Sequence, residues 1–116
     1  MNIQIPGVDI DKVVDLYEDD IDLFVTVSRS YISNAPVVLD KLRNVSAETL
    51  ADYAVSIHSI KGTSATIGAE ETRKAALNLE KMAKAGNLSG VLAENQAFIQ
   101  QTEKLIDDVR RWLDKH

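Results

Sequence analysis

The chain has 116 residues, no cysteine, two histidines and a formal net charge of −5. This excludes a disulfide framework, thiol chemistry, a cysteine-based metal site and an all-histidine metal site within one chain. The acidic balance argues against a nucleic-acid partner. At 45% hydrophobic and 27% charged residues the chain is globular in composition, and 5% aromatic residues leave the core to aliphatic side chains. A single domain over residues 1–116 is expected. The start, Met1-Asn2-Ile3-Gln4-Ile5-Pro6-Gly7, lacks the basic region and apolar run of a secretory signal, and no apolar stretch approaches a membrane span, so the expected location is the cytoplasm.

Helical spacing dominates and strand-type alternation is missing. A short first helix is predicted over Asp9–Tyr17, with Ile10, Val13, Val14 and Tyr17 as its apolar set. The second is predicted over Asp20–Leu42, with a stripe from Ile21 and Phe24 to Leu39 and Leu42, and with a kink or break at Pro36. The third starts near Ser46, a good N-cap residue, carries Leu50, Tyr53, Ile57, Ile60, Ser64 and Ile67, and stops at Gly68. The fourth spans Ala69–Ala85 with Thr72, Ala75, Ala76, Leu79, Met82 and Ala83 on one side, and Gly86-Asn87 ends it. The fifth spans Ser89–Asp114, its stripe running from Leu92 and Asn95 through Phe98, Ile99 and Thr102 to Trp112 and Leu113. Short connections favour antiparallel neighbours. The expected fold is therefore all-α: an antiparallel up-down four-helix bundle with a short N-terminal cap helix.

The third helix carries the chemistry. Stepping about 100° per residue from Ile57, the other stripe residues fall within about a quarter turn, whereas His58 points more than about 90° away. Its neighbours on the outward face are Ala51, Val55, Lys61, Gly62 and Ala65. Between Tyr53 and Ala69 the only fully charged residue is Lys61. A helix face free of charge and bulk is a candidate docking surface, which marks Ala51, Val55 and Ala65 as partner-docking residues. A mid-helix glycine costs roughly 1 kcal/mol relative to alanine. Side chains on a helix lean toward its N-terminus, so a larger residue at position 62 would cover the imidazole. Lys61 can reach a negative charge on that ring. Singly, each feature is ordinary: a surface histidine, a surface lysine, a helix-packing glycine. Together they describe a nucleophile that accepts a phosphoryl group.

The segment Ile57-His58-Ser59-Ile60-Lys61-Gly62-Thr63-Ser64-Ala65-Thr66-Ile67-Gly68-Ala69 resembles the signature of histidine-containing phosphotransfer (HPt) domains. That signature is His-x-x-Lys-Gly, then small residues and an apolar residue before Gly-Ala. Leu79-Glu80 and Lys84-Ala85-Gly86-Asn87 resemble the family's next helix and its ending, and Pro6-Gly7-Val8-Asp9 its common lead-in. Thr72 departs from the larger apolar residue of many relatives, which bears on packing rather than chemistry. The resemblance implies a phosphorelay intermediate of two-component signalling. His58 would be phosphorylated, Lys61 would steady the phosphoryl charge, and Gly62 would give the receiver room. Glu80 matches a glutamate that orients the imidazole in some relatives; a solvated or capping role is its other reading. The implied partners are receiver domains and a histidine kinase, which can be a hybrid one. The implied chain is a monomer that engages no membrane and has no intrinsic cofactor or metal, Mg2+ being on the receiver.

Other chemistries fit less well. No glycine-rich nucleotide loop points to an autonomous kinase, so the chain is expected to be a phosphocarrier without an ATP site. His58 and Ser59 are adjacent and diverge on a helix, and Val55 stands where a Glu-x-x-His di-iron motif needs an acid. His116, the final residue, is given no role. The alternative is a helical binding module that docks or inhibits a receiver or kinase without being phosphorylated.

Overall fold

A computed structural model describes residues 2–116. Among the described residues five helices follow a lead-in that turns at Pro6-Gly7: α1 (Ile10–Tyr17), α2 (Ile21–Leu42), α3 (Leu50–Thr66), α4 (Glu70–Lys84) and α5 (Leu88–Leu113). α2 packs on α3, α3 on α4, α4 on α5 and α5 on α2, which closes a four-helix bundle, and α1 packs across the start of α2. The molecule measures 44 × 23 × 18 Å.

Local chemistry sets most of the boundaries. Asp9, Asp20 and Asn87 each accept a backbone N–H of the first turn they precede, the N-cap role of short polar side chains. The α3–α4 and α4–α5 turns have the same ending. Gly68 and Gly86 take φ of +73° and +75°. The residue after each glycine donates five positions back, Ala69 to Ser64 and Asn87 to Met82. This Schellman geometry satisfies the last carbonyls and favours glycine at the left-handed position. Gly68 is doubly constrained, because an added Cβ would stand 2.8 Å from Val13 Cγ2 and 3.0 Å from the Asp9 carbonyl. The Asp9 N–H donates to the Gly68 carbonyl at 2.8 Å, so the backbone contact that seats α1 leaves no room for a side chain.

Four expectations change. α3 begins after Thr49, not at Ser46; Ser46 instead donates its backbone N–H to Thr49 Oγ1 at 2.9 Å within the preceding turn. α2 is one element through Pro36, so the break does not occur. The ring costs one backbone hydrogen bond, which packing against α3 and α5 along 22 residues outweighs. Val14 is exposed, since α1 has room to bury only Val13 fully. At the start of α5 Val91 is buried and Leu92 is 55% exposed, reversing the expected stripe. Both residues fit the spacing to Asn95. Gly90 lies so close to Met82 and Asn87 that an added Cβ would meet the Met82 sulfur at 2.6 Å, and this approach of α5 to α4 turns Val91 inward.

Buried polar residues tie the helices together. Tyr31 Oη and Ser64 Oγ share a 3.0 Å hydrogen bond between α2 and α3. Tyr53 Oη donates to Asn95 Oδ1 at 2.8 Å, and Asn95 Nδ2 donates to the Leu42 carbonyl at 2.9 Å, joining α3, α5 and the end of α2. At the α1 end, Phe24 meets Tyr17 and Trp112 edge-on, with ring centroids 6.0 and 5.5 Å apart. Each group left unpaired here would cost about 1–3 kcal/mol, which fixes the register of the helices.

Candidate functional site

Ile57 and Ile60 are fully buried and anchor the middle of α3 in the core. The residue between them along the outward turn, His58, keeps 64% of its side chain exposed. On α4, the same packing that buries Ala76, Leu79 and Ala83 brings Glu80 beneath the imidazole with only 4% of its side chain exposed. Glu80 is therefore neither solvated nor capping. His58 Nδ1 lies 2.6 Å from Glu80 Oε2, and Lys61 Nζ donates to Oε1, also at 2.6 Å. Lys84, one turn further along α4, brings its Nζ to 3.2 Å from Oε2.

Burial pushes the Glu80 carboxyl toward the neutral form, but hydrogen bonds from Lys61, His58 and Lys84 outweigh it and hold the pKa down to about 2. The carboxylate is thus ionised at neutral pH and can only accept. It follows that the proton of a neutral His58 ring resides on Nδ1, and Nε2 retains its lone pair. The arrangement is a carboxylate-oriented imidazole, fixed in tautomer and rotation and open on its outward side.

The other residues of the outward face lie along α3 around the ring. An added Cβ on Gly62 would meet nothing within 4 Å. Val55 is 71% exposed, Ala51 is exposed and Ala65 is half-buried along the same face. Lys61 lies one turn from the ring but is engaged with Glu80, its side chain only 23% exposed. The sequence reading does not single out Lys84, although its spacing of four from Glu80 on a helix is a readable ion-pair signal. Among the described residues, no group of three or more His, Cys, Asp or Glu side chains could hold a metal ion. Nor is any helix among them long and apolar enough to cross a membrane.

The family model of the Hpt domain matches residues 26–112, a span that takes in most of α2, all of α3 and α4 and nearly all of α5. The chain belongs to the Hpt domain family. Hpt domains are phosphocarrier modules of two-component phosphorelays, working with receiver domains and histidine kinases rather than binding ATP. The lead-in and α1 lie outside the matched span. No curated protein and no solved structure matches the chain.

Proposed function

We propose that His58 is the phosphorylated residue of this Hpt domain, taking a phosphoryl group from a receiver phospho-aspartate or a kinase and passing it to a receiver aspartate. The observation that carries this reading is the exposed imidazole whose Nδ1 is held by a buried, ionised carboxylate. The Nε2 lone pair attacks phosphorus, the Nε2–P bond forms, the P–O bond to the donor aspartate breaks, and that residue leaves as a carboxylate. Positive charge developing on the ring is opposed by Glu80 through the Nδ1–H, as a carboxylate stabilises an imidazolium elsewhere. Lys61 steadies the phosphoryl charge, while Gly62, Ala51, Val55 and Ala65 form the surface on which the receiver docks. The receiver brings Mg2+ and most of the polar groups that phosphoryl transfer needs, so positioning is the main task of this chain. Contact is then mainly apolar, because an acidic chain gains little general attraction to an acidic partner.

The test is incubation with a phosphorylated receiver, or with a kinase, ATP and receiver. The expected result is acid-labile, base-stable phosphate on the wild-type chain and none on His58→Gln. Label that survives the substitution overturns the assignment. Docking without any label, across several receivers, would favour the non-phosphorylated binding module.

A further inference from the structure

A buried carboxylate needs a countercharge in every state of a reaction cycle, since an unpaired ion in the interior is strongly disfavoured. Glu80 has two lysines, and they differ in kind. Lys61 crosses from α3 to Oε1 at 2.6 Å, has that oxygen to itself and is largely covered. Lys84 comes from α4 to Oε2 at 3.2 Å, shares it with His58 Nδ1 and leaves 65% of its side chain exposed. In the resting chain three donors share the two carboxylate oxygens, so Glu80 has one lysine more than its single charge needs. Phosphorylation changes the demand. The arriving group carries roughly two negative charges at neutral pH, and Lys61 is the cation drawn toward it. Glu80 would then keep the ring N–H and, of its two lysines, Lys84 alone.

We propose that Lys84 is a positioning residue that takes over Glu80 when Lys61 turns to the phosphoryl group. The inference rests on the phosphorelay reading of His58. Lys84 closes on the oxygen it already touches, Glu80 stays paired, and the ring keeps its orientation while Lys61 is engaged elsewhere. The exposed stem of Lys84 makes this movement a change of rotamer at the surface with no repacking.

The experiment measures how phosphate partitions between this chain and a receiver at equilibrium, with the half-life of the phosphohistidine alongside. Lys84→Gln should lower the retained phosphate about three- to fivefold, the scale of a partly exposed charge pair. Lys84→Arg should restore it. In a Lys61→Gln background, Lys84→Gln should cause no further loss, because no lysine then leaves Glu80. Nitrogen NMR of unphosphorylated Lys84→Gln should still report the proton on His58 Nδ1, which separates a positioning effect from general damage. Wild-type partitioning in Lys84→Gln would overturn the inference and leave the phosphorelay reading standing. A loss of equal size in the Lys61→Gln background would also overturn it, showing that Lys84 meets the phosphoryl group directly. A wild-type chain that takes no label on His58 overturns both.

Discussion

Glu80 and Asp108 are both buried acids with two cationic partners, yet only one belongs to the site. Asp108 receives Lys104 at 2.9 Å and Arg111 at 3.6 Å, both from its own helix, four residues before it and three after. Those side chains are exposed and close a local cluster on the α5 surface. Glu80 receives Lys61 and His58 across the α3–α4 interface and Lys84 from its own helix. Burial of a charge and the number of its partners therefore do not single out the candidate site. The distinguishing feature is a cross-helix bond to an exposed, titratable ring on a face otherwise free of charge.

The largest expected separation of the two acids is kinetic. Glu80→Gln should slow phosphotransfer by roughly tenfold to a hundredfold, the range for losing a carboxylate that orients a functional histidine. Asp108→Asn should leave the rate at the wild-type value in the same single-turnover assay. Equal effects of the two substitutions would erase the distinction. Next comes acid stability. The folded pKa of Glu80, about 2, lies below its ordinary 4.5. Its contribution is therefore fully present above pH 4.5 and is lost as pH falls toward 2. Urea unfolding midpoints of Glu80→Gln should vary less with pH over that window than those of the wild type; parallel curves would mean that the carboxylate is not held by its donors. The smallest effect is that of Asp108→Asn on stability at pH 7, at most about 1 kcal/mol by urea unfolding, as for an ion pair within one helix.

The same contrast explains what was readable from the sequence. The core face of α3 was legible because Leu50, Tyr53, Ile57, Ile60 and Ser64 repeat at helical spacing, and all are buried. His58, Lys61 and Gly62 were legible because they break the pattern of a solvated face within one helix. Glu80 is visible as a candidate but its burial is not, since that depends on the packing register of α3 against α4. Lys84 escapes a sequence reading for the same reason: its spacing from Glu80 is visible, its sharing of an oxygen with His58 is not. The Val91–Leu92 reversal is a similar case, because both residues satisfy the periodicity and the close approach at Gly90 chooses between them.

The packing of Trp112 against Phe24 gives the molecule a built-in optical probe with a defined blind spot. It is the chain's only tryptophan. The Tyr31–Ser64 bond sets the register of α2 on α3, and about thirteen residues of helical rise then separate Phe24 from His58, roughly 20 Å along the bundle. Indole emission therefore reports loss of the core at one end while staying silent to a receiver arriving at the outward face of α3. Unfolding can therefore be followed by indole emission while phosphotransfer proceeds at the other face, the transfer itself being read from the phosphate.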